Sequence, residues 1–364
     1  MKRFVFFLGT TAELIKVVPV MLEFTRRGAP FEIVASGQNE IMRSELFAQA
    51  GLPAPVATLN QTLRRKSALR LLGWFMATFV RGLFKLPRVL GPRSKRRGTV
   101  LIVHGDTVST VMGAVLGRLM AVKVAHVEAG LRSHNFLQPF PEELDRYLTA
   151  FFADYHFCPY ASAVANLRHR GGTKVDTGFN TNIDSLAFAR SLPQSAGEAI
   201  PEKPYFIFIL HRQENLLNNA LVADLIEVLE GLTARMRCLF VVHELTMTRL
   251  AELGLHERVR ANPRITLSGR RPYAEFIRVL DGAEFIMTDG GGNQQECYYM
   301  GKPCLILRGL TESEEGVGTN VLISGNDRAV IRAFVDDYPR YRHPEVVPAR
   351  RPSEIVVSTL MESA

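Results

Sequence analysis

The sequence predicts an α/β protein built as two doubly wound, parallel sheets, and three observations predict it. Short runs that are apolar throughout alternate with longer stretches of helical periodicity. This is the pattern of parallel strands covered on both faces and joined by right-handed crossovers. The series starts twice, at Arg3 and again at Tyr205. The chain has 364 residues, too long for one ordinary core and enough for two.

The first strand is expected over Arg3–Leu8, an apolar run too short for a secretory leader and without a cleavage site after it. It runs into Gly9-Thr10-Thr11 and a helix over Glu13–Arg27. Strands follow at Phe31–Ala35, Val100–Val103, Val122–Val127, Tyr155–Cys158 and Lys174–Thr177, with helices at Ser109–Met120 and Glu142–Phe152. Ser191–Pro204 carries four prolines or glycines and no apolar periodicity, so it reads as a linker. The second series has strands at Tyr205–Leu210, Cys238–Val242, Ile265–Leu267, Phe285–Thr288 and Cys304–Leu307, and helices at Leu221–Met236 and Tyr273–Leu280. The expected division is 1–190, 191–350 and a tail of 351–364, in which Ser353–Met361 could form a short helix. Ligands of open α/β sheets lie beyond the carboxyl ends of the strands. The two domains are therefore expected to face a central cleft.

Composition narrows the partners. Apolar residues make up 47% and charged residues 22%, so an ordered, packed protein is the default. A net charge of +8 attracts anions without choosing among them. Cys158, Cys238, Cys297 and Cys304 lie in apolar stretches with no Cys-x-x-Cys spacing, which argues against a zinc site or a disulfide framework and fits a reducing, cytoplasmic compartment. No apolar run is long enough to span a membrane. Arg64–Arg97 holds eleven Lys or Arg and no Asp or Glu, interleaved with Leu69, Leu71, Leu72, Trp74, Phe75, Met76, Phe79, Val80, Leu83 and Phe84. One reading is a basic amphipathic helix resting on the inner, anionic face of a membrane. The favoured reading is a core-packed helix followed by a basic solvated loop, because the apolar side is wide and the sheet needs a cover. No nucleic-acid recognition motif accompanies the charge, so no nucleic-acid partner is expected.

Polar residues gather where the strands end. His104-Gly105-Asp106-Thr107, Glu128-Ala129-Gly130-Leu131-Arg132, His211-Arg212-Gln213-Glu214 and Asp289-Gly290-Gly291-Gly292 each follow a strand, and Pro139–Pro141 leads into Glu142-Glu143. Any one of these is ordinarily a helix cap; together they mark a site. Gly290-Gly291-Gly292 lets backbone approach a phosphate at a helix N-terminus, and Glu296, one turn in, is placed to accept from a ribose diol. Gly9-Thr10-Thr11 is a weaker version of the same signal. It lacks a Walker-type or complete dinucleotide fingerprint, so neither ATP hydrolysis nor NAD binding is indicated.

On these residues the chain resembles the UDP-N-acetylglucosamine 2-epimerases, hydrolysing and non-hydrolysing. The strongest matches are His104 to Thr107, His126 to Arg132, Pro141-Glu142-Glu143 with Arg146, and Gly291-Gly292 through Glu296 to Gly301-Lys302-Pro303. The resemblance implies a glycosyltransferase-B-like pair of Rossmann-like domains and a homodimer. It also implies a role in supplying N-acetylmannosamine units for surface polysaccharide. It places Asp106, Glu128 and Glu142 as acid/base carboxylates and His211 near the diphosphate or a sugar hydroxyl. It gives Lys16, Arg146, Gly290, Gly291, Gly292 and Glu296 to substrate binding, with Phe276 against uracil. The reaction implied is anti elimination of UDP through a 2-acetamidoglucal. It calls for no metal or redox cofactor, and the carboxylates are expected to carry raised pKa values in an apolar cleft.

Four positions depart from the family pattern. Thr11 stands where an Arg is usual, Gly290 where a Ser is, Gln295 where a Glu is and Ser313 where an Arg is. Two of these changes remove cations, for which Arg271, Arg308 or Lys302 are the available substitutes. Gly37-Gln38-Asn39-Glu40 lacks the His-Arg of many allosteric members. The alternatives weighed are an enzyme on another nucleotide sugar, including a glycosyltransferase, and a non-catalytic nucleotide-sugar-binding relative. The retained carboxylates argue against simple transfer and, with His211, against a non-catalytic role, whereas the lost cations argue for an altered substrate.

Overall fold

The computed structural model describes residues 2–62, 68–135, 141–193 and 200–363. Part of the linker expected at Ser191–Pro204, the start of the basic stretch at Arg64, and Pro139 lie outside the described residues. Two compact units divide the chain. One comprises Met1–Phe188 with Pro348–Ala364, and the other Ala189–Val347.

In chain order the first unit contains β1 (Arg3–Leu8), α1 (Thr11–Arg26), β2 (Phe31–Ala35), α2 (Glu45–Gln49), β3 (Ala57–Thr58), α3 (Ala68–Leu90), β4 (Thr99–His104), α4 (Val108–Leu119), β5 (Lys123–Val127), α5 (Glu142–Phe152), β6 (Tyr155–Cys158), α6 (Ala161–Asn166) and β7 (Thr173–Asp176). Helix α7 (Asn182–Ser191) leads out of it. Among the described residues its sheet has seven strands in the order β3-β2-β1-β4-β5-β6-β7, all parallel. The central strands are apolar on both faces because helices cover both. Val5, Phe6, Phe7, Leu101, Ile102 and Val103 are fully buried.

The second unit contains β8 (Tyr205–Ile209), α8 (Gln213–Leu216), α9 (Asn219–Thr233), β9 (Arg237–Val241), α10 (Glu244–Glu252), α11 (His256–Ala261), β10 (Ile265–Ser268), α12 (Tyr273–Gly282), β11 (Ile286–Thr288), α13 (Gly291–Tyr299), β12 (Cys304–Ile306), β13 (Val321–Ile323) and α14 (Arg328–Asp336). Its sheet runs β10-β9-β8-β11-β12-β13, again parallel. Its core gathers Phe206, Phe208, Phe240, Phe285 and Phe334 from strands and helix.

The strand order reverses between β1 and β4 in the first unit and between β8 and β11 in the second. At such a switch point the crossovers on either side leave to opposite faces, so a gap opens above the strand ends where a ligand can enter. The residues just past β1, β4, β8 and β11 are Gly9, Gly105-Asp106, Leu210-His211 and Asp289-Gly290. Helix α15 (Pro352–Glu362) closes the chain, packing on α1 with Val356, Val357 and Leu360 buried. Ser353 N donates to Asp184 Oδ2 at 2.8 Å. The sequence treated 351–364 as a tail set apart; in the structure those residues are part of the first unit.

Candidate functional site

In the first unit, β4 and β5 pair with His104 opposite Val127, so Asp106 and Glu128 leave neighbouring strands one or two residues past the last rung. Glu128 adopts φ 64, a left-handed conformation costly for a residue with a side chain and one that often marks a functional position. Gly105 next door has φ 70, and a Cβ there would come within 3.7 Å of Glu128 Oε1. The carboxylate therefore lies over the turn that carries Asp106. Lys16 of α1 and Asn180 both donate to Glu128 Oε2.

Glu128 is nine-tenths or more buried. Burial works against its charge, but the Lys16 ammonium and the hydrogen bonds from Lys16 and Asn180 outweigh it and bring the carboxyl down to about 2. His104 contributes little of this at neutral pH, because burial drops its own imidazole to about 4. The expectation of a raised carboxylate therefore does not hold at Glu128. The reason is Lys16, which the resemblance had assigned to the nucleotide.

Raised carboxyls occur close by. Asp145, on α5, is pushed up to about 8 by burial and by the charges of Asp106 and Glu142. Arg146, 3% exposed, pairs with Asp106 and lies 3.5 Å from Glu143. The first unit thus brings together Lys16, Asp106, Glu128, Arg146 and, through Asp145, Glu142. Beneath the first loop Glu13 is buried, accepts from Gly9 N at 2.7 Å and from Thr107 Oγ1, and is raised to about 7 by that burial. A Cβ on Gly9 would collide with Ser109 Oγ, which explains the glycine. Thr11, where an Arg is usual, is the first residue of α1 behind the Thr10 cap.

In the second unit the organiser is Asp289, fully buried at the end of β11. It accepts from the backbone amides of His211 and Arg212 and from Asn215 Nδ2, all within 2.9–3.1 Å. Burial opposes its charge, yet the His211 imidazole and these donors hold the carboxyl below the ordinary range. His211 Nδ1 lies 2.9 Å from Asp289 Oδ1, an electrostatic contact without full hydrogen-bond alignment, and its ring stacks 4.9 Å from His243.

Gly290 caps α13 with no side-chain hydrogen bond. A Cβ at 290 would come within 2.8 Å of Asn293 Oδ1 and 3.1 Å of His211 Cε1, so the serine usual here would require those side chains to shift. At Gly291 a Cβ would sit 3.1 Å from Glu312 Oε1; at Gly292 nothing lies within 4 Å. Glu312 is approached by Arg308 at 3.1 Å and Arg212 at 3.6 Å, which puts two guanidinium groups beside the glycine turn.

Of the three substitutes for the missing cations, Arg308 is at the turn. Arg271 pairs with Glu275 at 2.5 Å, and Lys302 donates to the carbonyls of Asp281 and Ala283. Gln295 and Ser313, two of the four departures, both donate to the buried Glu315, which Tyr299 Oη also meets at 2.6 Å. Glu296 accepts from Asn293 Nδ2 at 3.1 Å and is hydrogen-bonded to the half-buried Tyr273. Phe276 is buried three residues further along α12.

Sequence reasoning missed Asn180, Glu13, Tyr273 and the role of Asp289. The strand-end position of Asp289 was a signal for it. Asn180 had none, being 52 residues from its partner.

The family model for UDP-N-acetylglucosamine 2-epimerase matches residues 23–346. The UDP-N-acetylglucosamine 2-epimerase of Methanocaldococcus jannaschii is 30% identical over 341 residues, covering 90% of this chain and 89% of that protein. A UDP-N-acetylglucosamine 2-epimerase homolog of Methanococcus maripaludis is 31% identical and covers 90% of each. The crystal structure of the M. jannaschii enzyme in complex with UDP-GlcNAc and UDP superposes with a TM-score of 0.80 at 26% identity, covering 99% of both chains.

Proposed function

Because the chain belongs to the UDP-N-acetylglucosamine 2-epimerase family, we propose that it inverts C2 of UDP-N-acetylglucosamine by eliminating and recapturing the nucleotide. The observation that carries the assignment of roles is the contrast between neighbouring carboxyls. Glu128 is held ionised by Lys16, while burial and the charges of Asp106 and Glu142 keep Asp145 protonated at neutral pH. Environments that push pKa values apart separate a base from an acid.

The C2 proton has no carbonyl beside it, so its removal must be coupled to departure of the diphosphate. Glu128 takes the proton, the C1–O bond breaks with its electron pair leaving on UDP, and a C1=C2 double bond forms. The Asp106, Glu142 and Asp145 group returns a proton to the opposite face of C2, and a UDP oxygen re-adds at C1 to give the manno epimer. Water then restores both carboxyl sites. If water captures C1 instead, free N-acetylmannosamine and UDP are released.

In this reading Lys16 serves twice. The diphosphate of the substrate competes for its ammonium, and Glu128, losing its cation, becomes a stronger base in the complex. Arg146 fixes Asp106. The amides of Gly290, Gly291 and Gly292 with Arg212 and Arg308 carry the diphosphate charge, in place of the arginines absent at 11 and 313. Asp289 orients His211 toward the leaving group or a sugar hydroxyl, Glu296 takes the ribose and Phe276 the uracil. A glycosyltransferase or a binding-only role is not favoured, since the relatives matched over nearly the whole chain are epimerases.

Proton NMR of the protein incubated with UDP-N-acetylglucosamine tests the reading. Signals of the 2-epimer, or of free N-acetylmannosamine with UDP, are expected. Unchanged substrate, or a sugar transferred with its C2 configuration kept, would contradict it.

A further inference from the structure

Helix α3 does more than cover the first sheet. Trp74, Thr78, Leu86 and Leu90 are buried along one side of it. On the opposite side Leu72, Met76, Val80 and Phe84 stand at 60%, 51%, 46% and 66% exposure. These four repeat every fourth residue, so they form one continuous ridge, spanning about 18 Å at the helical rise. An apolar row of this length on a water-facing side marks an interaction surface.

The charge around it is of one sign. Arg70, Arg81, Arg88, Arg93, Lys95 and Arg97 are exposed along the helix and the loop after it, and residues 64–97 contain no acid. Arg96 of the same run is buried and donates to the carbonyls of Gly91 and Met120, so it belongs to the scaffold. No helix among the described residues is long and apolar enough to cross a membrane. An apolar ridge flanked by cations matches the surface of an anionic bilayer, where the apolar side chains enter the acyl boundary and the cations meet the headgroup charge. A second copy of this chain suits the ridge poorly, because a two-fold pair would set these cations against their own equivalents.

We propose that the Leu72–Met76–Val80–Phe84 ridge of α3, with its surrounding Lys and Arg, docks the protein peripherally on an anionic lipid bilayer. The helix lies in the plane of the headgroups and does not cross. The proposal stands apart from the catalytic reading, since none of these residues belongs to the carboxylate cluster or the glycine turn.

Flotation of the full chain with phosphatidylcholine vesicles, with and without phosphatidylglycerol, tests it. The protein is expected to float with the anionic vesicles only. Raising salt from about 0.1 M to about 1 M, which shortens the screening length from ~10 Å to ~3 Å, should release most of it. Replacing Arg88 and Arg93 by Gln should weaken partitioning roughly five-fold for each cation removed. Met76→Ser with Phe84→Ser should abolish flotation while circular dichroism and epimerase turnover stay unchanged. Equal flotation of the Ser variant and the wild type would overturn the proposal, as would failure to bind anionic vesicles at low salt. It would also fall if the Ser variant dissociated a lipid-free dimer in sedimentation, because the ridge would then be covered by a second copy.

Discussion

Burial alone would lift the Glu128 carboxyl above the ordinary carboxylate range, and the Lys16 ammonium reverses that, bringing it down to about 2. A group at that value is ionised throughout the working range but is a feeble base. The proposed competition of the substrate diphosphate for Lys16 resolves the conflict and fixes a sign. The pH dependence of kcat/KM reports the free protein, so Glu128 should produce no acid limb above about pH 4 there, whereas the kcat profile of the complex should show one at higher pH. In Lys16→Met the ammonium no longer offsets burial and the Asn180 hydrogen bond remains, so the free Glu128 pKa rises, and base is lost as pH falls through it. Its kcat/KM should drop about tenfold for each pH unit below that value. Rate profiles from acid to mildly alkaline pH check this; a pH-independent loss in Lys16→Met would remove Glu128 as the group responsible.

At the scale of elements, the N-terminus of α13 is built around room rather than unusual backbone. Gly290 sits at φ −92, and a side chain there would have to displace those of Asn293 and His211. Gly292 has open space where a side chain would go. Gly292→Ala should therefore keep the fold and gain up to about 1 kcal/mol of helix stability, yet obstruct the close approach of a phosphate. Thermal unfolding should shift upward while calorimetric affinity for UDP falls about tenfold; unaltered UDP affinity would show that the turn does not hold the diphosphate.

The elements around these sites were legible where side chains recur along one segment. The buried strands are apolar runs, and most expected bounds lie within about two residues of the observed ones. Strands β3 and β13 were not anticipated, because Ala57–Thr58 and Val321–Ile323 are sheet edges too short to show periodicity. Partnerships across long separations were equally silent. Nothing in the sequence joins Asn180 to Glu128, or shows that Gln295 and Ser313 turn toward one buried carboxylate, Glu315. The ridge on α3 was half legible: its apolar residues and cations were visible, but a helix wheel cannot say which apolar side the sheet takes.

At the scale of the whole molecule, each unit repeats one plan: a parallel sheet whose strand order reverses, with polar residues at the reversal. The first sheet sets acidic groups there and the second a glycine turn, an imidazole and guanidinium groups. The terminal helix belongs to the same plan, since α15 seals α1 and with it the helix that carries Lys16. An amphipathic tail announces a helix without saying what it covers. Carboxylates of the first unit are expected to exchange the proton at C2. Turnover of UDP-N-acetylglucosamine in deuterium oxide measures it directly. One deuterium is expected at C2 of the product from the wild type and none above background from folded Glu128→Gln or Asp106→Asn. Product that keeps its original hydrogen, or near-normal exchange in both variants, would contradict it.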